Sequence, residues 1–382
     1  MAEKDLYDSL LSYYEFMLGK FPQRERLKEA IRQTIAQEDL KVFFLMPMNG
    51  YIPRHRLESK AVRAHISPEQ MERALVNMQQ EGIIQAYDRP GEGRCYERGN
   101  PAFMTEQQVR LKEDTPLRRT YAEFFRSLME TSTQSIPNKT PYYRVVPVES
   151  TLTGGERLKE VQVERVVPDP RLVMPFDKVS ELVKKEKLIA VAECYCRKAK
   201  LVVGEPCEHP LETCFVFAGL AQTLIESGRA RQLTTQEALD ILKDCEQKGL
   251  VHNVDNCEGE IKSICNCCNC ACVIFRTYER GQTNAGAPSR FVIQYDAEKC
   301  KLHKACVEIC PRQVYSLEGE RLVLNVRRCI GCGLCVSRSP EAALHMVPRE
   351  KEEKMYPTNE LLWKKIANES LVKILLDRVL GK

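Results

Sequence analysis

Apolar residues recur every three or four positions through residues 4–18 and 24–38, which predicts two amphipathic helices. The short apolar run Leu40-Lys41-Val42-Phe43-Phe44-Leu45 predicts a strand, and Pro53 precedes a helical stretch reaching Arg63. Ser67-Pro68-Glu69-Gln70 supplies an N-cap, a proline at the first helical position and an acidic first turn. That helix should run to Glu81, stop at Gly82 and feed a strand over residues 83–87. A turn at Arg89-Pro90-Gly91-Glu92-Gly93 then leads into Cys95-Tyr96 and completes a hairpin. A long helix is expected over 114–131, and residues 131–141 form a polar Ser/Thr/Pro linker. Strand patterns follow at 143–148 and 161–167, a helix at 176–187 and an apolar strand at 188–191. Thr234-Thr235-Gln236-Glu237 opens a further helix that ends at Gly249 before a strand at 250–252, echoing the helix–glycine–strand unit of 67–87. At the end of the chain, Pro357-Thr358-Asn359-Glu360 caps a helix with Leu361, Leu362, Ile366, Leu371, Ile374, Leu375 and Leu380 as apolar positions and Trp363 nearby. This stripe is expected to pack on a neighbouring domain, with a partner or membrane surface as the alternative.

The helix–helix–hairpin succession of the first 131 residues resembles a winged helix. A DNA reader needs a basic footprint, yet basic and acidic residues balance over 1–130. The candidate recognition helix, 67–82, carries Glu69, Glu72 and Glu81 against Arg73 alone. The preceding helix, with Arg54, Arg56, Lys60 and Arg63, is basic and keeps a regulator as the alternative. A docking or scaffolding role is therefore expected, and DNA is not the expected partner. A net charge of +4 over 382 residues points to no polyanion.

The chemistry lies in the cysteines. Of 18, only Cys95 precedes residue 190. Their C-x-C and C-x2-C clustering, the chain length and a charged, non-secretory start argue against a disulfide framework. The longest apolar stretch, 215–225, is too short to span a bilayer. A soluble, reducing, cytoplasmic setting is expected, and one poor in oxygen, because so many ligand thiolates are oxidation-prone.

The central block reads Glu193-Cys194-Tyr195-Cys196-Arg197, then Cys207 and Cys214, then Cys265-Asn266-Cys267-Cys268-Asn269-Cys270-Ala271-Cys272. If the strand at 188–191 continues, alternation puts Cys194 and Cys196 on one face. In a regular strand Cys265 and Cys267 would face away from Cys268, Cys270 and Cys272. The segment must therefore loop tightly or lie between two centres. Two [4Fe–4S] clusters are expected, one dominated by Cys194, Cys196, Cys207 and Cys214 and the other by residues 265–272, with interleaving allowed. Zinc is the alternative in this block, since C-x-C turns suit it too. Arg197 and Lys198 would offset cluster charge. Cys245 is expected to be a buried, inert thiol, and Cys95 and Cys257 to be non-ligands. Among the histidines only His303 sits in a ligand frame.

Near the C-terminus stand Cys300-Lys-Leu-His303-Lys-Ala-Cys306, with Cys310-Pro311 after it, and Cys329-Ile-Gly-Cys332-Gly-Leu-Cys335, with Ser339-Pro340 after it. Over 291–348 the sequence resembles the bacterial two-cluster ferredoxin domain. In that pattern each half reads C-x2-C-x2-C-x3-C-P, and the fourth cysteine ligates the other half's cluster. Cys310, Cys329, Cys332 and Cys335 then make one complete four-thiolate site. Its mate keeps Cys300 and Cys306 but has His303 and Ser339 at the other two ligand positions. Loss of that cluster is expected; a mixed-ligand and a labile or three-iron cluster are the other readings.

The expected fold class is α+β. It comprises a winged-helix-like domain (1–131), a linker with strands (132–175), a Cys-rich iron–sulfur domain (176–280), a ferredoxin-like domain (288–349) and a terminal helix (356–381). This order resembles a group of multi-cluster 4Fe–4S proteins of anaerobic bacteria, which implies cluster binding and electron transfer but names no reaction. The expected function is an electron-transfer protein, or oxidoreductase subunit, working with a redox partner protein. The alternatives are a redox- or oxygen-sensing winged-helix regulator and a reductase using an open iron position. No Walker, Rossmann or nucleophile-elbow motif occurs.

Overall fold

The computed structural model describes residues 5–18, 20–21, 23–48, 50–135, 138–152, 173–281, 285–351 and 353–379. The strand expected at 161–167 lies outside them. The chain opens with α1 (Leu6–Leu18) and α2 (Arg24–Arg32). The second helix is shorter than its pattern, because a turn after Arg32 is fixed by the Tyr7 hydroxyl donating to Ile35 O at 2.7 Å. Residues 40–45 are not a strand but part of α3 (Gln37–Leu45). Periodicity cannot separate the two in so short an apolar run. Glu38 and Asp39 favour the helix start, and burial of Leu40, Val42 and Phe43 decides it.

Next come β1 (Tyr51–Pro53), α4 (Arg54–Arg63), α5 (Pro68–Gln80), β2 (Ile84–Arg89) and β3 (Gly93–Arg98). Ser67 and Gln70 form a reciprocal capping box at the start of α5. The strands make an antiparallel sheet in the order β1-β3-β2. Two helices close the unit: α6 (Pro101–Val109), which the hydrophobic pattern missed, and α7 (Pro116–Ser135).

The middle of the chain contributes β4 (Tyr143–Val146), α8 (Val179–Lys184), β5 (Ile189–Glu193), α9 (Tyr195–Val202), β6 (Glu212–Phe217) and α10 (Ala218–Glu226). It continues with β7 (Ala230–Leu233), α11 (Thr235–Gln247), β8 (Val251–Asp255), β9 (Ser263–Cys267), α12 (Val273–Glu279) and β10 (Gly286–Ala287). Seven strands pair in the order β10-β4-β8-β9-β6-β5-β7. Alternation gives each sheet face a different chemistry. One face sets Val146, Ile189, Val191, Phe215, Phe217 and Ile264 against α8 and α11. The other carries Cys214, Cys265 and Cys267.

The C-terminal domain pairs β11 (Phe291–Tyr295) with β14 (Leu344–Pro348). Between them lie α13 (Ala305–Ile309) and the hairpin β12 (Tyr315–Glu318) and β13 (Arg321–Leu324). The last helix, α14 (Asn359–Val379), buries Leu362 and Ile366 against the apolar sheet face and sets Trp363 5.4 Å from the Tyr142 ring. The side chains of Ile374, Leu375 and Leu380 lie outside the described set.

The N-terminal unit is locked to the sheet through the free edge of β2. Ala86 N–H donates to Thr223 Oγ1 of α10 at 3.2 Å, and Thr223 Oγ1 donates back to Ala86 O at 2.9 Å. Gln222 bonds both Asp88 N–H and its carboxylate, and Arg94 pairs with Glu226 at 2.5 Å. Gly219 lets the strand come this near: a Cβ there would lie 2.7 Å from the Tyr87 ring.

Candidate metal centres

In the C-terminal domain Cys310 ends α13, and Cys329, Cys332 and Cys335 sit on one loop. Burial pushes the Cys332 and Cys335 thiols up, Cys335 to about 12, and the charges of Cys310 and Cys329 act on both. Among the described residues no two thiols of this quartet are hydrogen-bonded to each other. Backbone N–H groups turn toward the sulfurs: Gly331 to Cys329 Sγ and Val314 to Cys310 Sγ, each at 3.4 Å. Such donors offset the charge of a thiolate-ligated cluster. Gly331 and Gly333 have φ of +68° and +77°. A Cβ at Gly331 would run into Phe291 O and Ser289 Oγ, and one at Gly333 would meet Thr151 Oγ1 at 2.6 Å.

The other half keeps the backbone and changes the side chains. Leu302 and Lys304 take φ of +56° and +64° at the positions equivalent to Gly331 and Gly333. Gln313 and Ala342, each third after its half's fourth ligand position, match at +50° and +49°. Cys300, Cys306, His303 and Ser339 line one pocket with Tyr295 and Glu341. There the Cys300 thiol meets the Tyr295 hydroxyl, and His303 Nε2 is paired with the Glu341 carboxylate. At the depleted positions, His303 thus has a partner of its own.

In the central domain β5 ends at Glu193, so Cys194 and Cys196 are not strand neighbours on one face. Cys194 is the N-cap of α9 and Cys196 lies in its first turn. The pairing with β6 shifts register at Ala192/Glu193, and the chain then turns into α9, whose first helical bond is Lys198 N–H to Cys194 O at 2.8 Å. Of the two readings of 265–272, the structure has a tight loop: Cys265 and Cys267 belong to β9, residues 268–271 turn, and Cys272 caps α12.

The nine thiols interleave the two blocks. Cys214 and Cys265 are cross-strand partners of β6 and β9. Thiol contacts run from Cys214 to Cys265, Cys267, Cys272, Cys196 and Cys194 in turn. These six line one enclosed pocket with Tyr143, Tyr195 and Ile274. Cys207, Cys268 and Cys270 form a separate, tighter group, with sulfurs 2.9, 3.3 and 3.8 Å apart. Cys268 also borders the larger pocket.

Two buried cations serve the six-thiol pocket. Arg197, 1% exposed, donates from Nη2 to Thr213 Oγ1 and to Asn266 O, while its Nε and Nη1 have no protein partner. Arg110 reaches in from the end of α6, with Nη2 3.5 Å from Cys214 Sγ and Nε on Glu193 O at 2.9 Å. Hydrogen bonds from Cys214 and Cys267, with help from Arg110 and Arg197, hold the Cys265 thiol well below the usual range. Burial raises Cys272, but contacts with Cys196 and Cys267 and the Phe275 N–H outweigh it and bring it to about 6. Such depressed thiols are the ones ready to act as thiolate ligands. Sequence reasoning named Arg197 but missed Arg110, which no local motif marks. It also missed His209, whose ring lies with Cys207 and Cys270, all ligand atoms within 4.8 Å of one another.

Cys95, Cys245 and Cys257 are buried, and burial pushes Cys245 and Cys257 up to about 12.

The two thiol regions share one apolar cluster. It holds Val145, Val148, Val251, Cys267, Cys272, Ile274, Phe275, Tyr278, Ile330 and Leu334, with Cys332 packed against it. Tyr278 lies within electrostatic reach of Cys267, Cys272 and Cys332 alike. Val148 N–H bonds Cys332 O at 2.9 Å across the same seam.

Residues 292–340 match the family model described as a 4Fe–4S dicluster domain. The protein is therefore a cysteine-rich chain carrying such a domain, and binding of a 4Fe–4S cluster points to an electron-transfer role. No solved structure matches the chain. No helix among the described residues is long and apolar enough to cross a membrane.

Proposed function

We propose that this chain is an iron–sulfur electron-transfer protein that relays electrons to or from a partner oxidoreductase. Cys310, Cys329, Cys332 and Cys335 hold one [4Fe–4S] cluster, and four thiols of the Cys194/Cys196/Cys214/Cys265/Cys267/Cys272 pocket hold another. The observation that carries this reading is the shared apolar cluster, which holds Cys267, Cys272 and Tyr278 and has Cys332 packed against it. Bound clusters supply one-electron redox chemistry at these sites. The chain's own contribution is to exclude water, orient the thiolates and set their charge. The unpaired N–H groups of Arg197 offset negative charge in the central pocket, which favours the reduced state there.

The order β1, α4, α5, β2, β3 supports a winged-helix reading of the N-terminal unit, but its surfaces favour docking over DNA. The β2 edge is occupied by α10. On the basic helix, Arg54 is paired with Glu58 and Glu72, while Lys60 and Arg63 bond backbone carbonyls. The unit serves the central site instead, since it delivers Arg110 to Cys214.

The test is anaerobic purification with iron and sulfide counting and EPR of the reduced protein. Two clusters give about eight irons per chain, and Cys332→Ser removes about four with one EPR signal while the central signal persists. An iron content of zero after anaerobic preparation, or DNA affinity with a steep salt slope, would sink the relay.

A further inference from the structure

We propose that Cys207, His209, Cys268 and Cys270 form a structural zinc site that knots two loops beside the central pocket. The relay reading uses none of these four, so the inference goes beyond it. The donors come as two short arms. Cys207-Glu208-His209 lies in the loop between α9 and β6, and Cys268-Asn269-Cys270 in the turn between β9 and α12. Each arm places two ligands one residue apart, and the fold brings the arms together from opposite ends of the Cys-rich region.

The spacing of this group suits one tetrahedral ion. Tetrahedral zinc with Zn–S near 2.3 Å holds its sulfurs about 3.8 Å apart. The three sulfurs here lie 2.9–3.8 Å apart, and the ring of His209 is within 4.8 Å of Cys207 and Cys270. A four-iron cubane bonds each thiolate to a different corner and spreads its ligands more widely than a single tetrahedral ion does. Three thiolates and an imidazole make the closed, four-coordinate Cys3His set of structural zinc. Zn²⁺ with three thiolates leaves one negative charge, and the Arg197 guanidinium acts on both Cys207 and Cys268. Lys200 Nζ, 3.3 Å from Cys270 O, ties the second arm back to α9. Cys268 belongs to both walls, so the metal would fix the rim of the six-thiol pocket.

The experiment uses the full chain, purified anaerobically from zinc- and iron-replete culture. Elemental analysis should find one zinc per chain, and zinc-edge X-ray absorption should show three sulfurs at about 2.3 Å and one nitrogen at about 2.0–2.1 Å. His209→Ala and Cys270→Ser should each lower zinc at least fivefold with iron unchanged. His209→Cys should keep the zinc and change its shell to four sulfurs. If the variants do not fold, the wild-type absorption spectrum alone decides. Wild-type protein without zinc, a shell lacking nitrogen, loss of iron but not zinc in Cys270→Ser, or a Cys207–Cys270 disulfide in the anaerobic protein would each overturn the site. Loss of all iron with this zinc shell intact would refute only the relay.

Discussion

The two halves of the C-terminal domain share a backbone and differ in what they do with it. Around Cys329–Cys335 the left-handed positions are glycines, and at Gly331 no side chain could fit. Around Cys300–Cys306 the same turns are made by Leu302 and Lys304, which pay the steric cost of positive φ. The loop is thus held in a cluster-wrapping shape by the surrounding β11–β14 scaffold, not by its own residues. The depleted half lacks ligands rather than geometry. Strain of this kind persists where the rest of the fold over-determines the backbone.

That contrast can be broken or sharpened by substitution. The largest effect is expected from His303→Cys combined with Ser339→Cys, which should complete the second four-thiolate set and add about four irons per chain. Unchanged iron in an anaerobically reconstituted sample would show that the depleted half has lost its shape as well as its ligands. Next, Gly331→Ala should remove the existing cluster signal and cost about 3–5 kcal/mol in denaturant unfolding, because a Cβ collides with Phe291 O and the residue is left-handed. An intact signal with normal stability would contradict the packing described at that turn. The mirror change, Leu302→Gly or Lys304→Gly, should stabilise the chain by about 0.5–1 kcal/mol each, as relief of strain exceeds the added unfolded-state entropy. Destabilisation by either would mean the side chain contributes more than its backbone costs. Smallest of all, His303→Ala with Ser339→Ala should leave EPR spectra and midpoint potentials unaltered. A shifted potential would revive the mixed-ligand reading.

These regions were unequally legible in the sequence. The C-terminal ligand frame is written in local spacing, and the capping boxes at Ser67 and Thr234 begin helices where their residues indicate. The central grouping depends on pairing between residues far apart in the chain. Cys214 meets Cys265 only because β6 and β9 are neighbours, a register no short window contains. The end of the strand at Cys194 was hidden for a related reason: an apolar strand running into C-x-C looks continuous until a register shift at Ala192/Glu193 and the start of α9 turn the chain aside. His209 had a readable signal, a C-x-H arm matching the C-x-C arm at Cys268, but only proximity gives that match meaning. Leu40–Leu45 failed on length, since six apolar-rich residues fit either period.

The lock between β2 and α10 bears on how the chain is made. Ala86 must wait for Thr223, 137 residues later, before its strand edge is satisfied. At about 5–20 residues per second of synthesis, that delay is on the order of ten seconds. For that interval the newborn N-terminal unit carries an open strand edge that could pair with another chain. Slow translation between residues 89 and 223 should therefore favour aggregation, and a chaperone binding that edge would have a defined moment to let go.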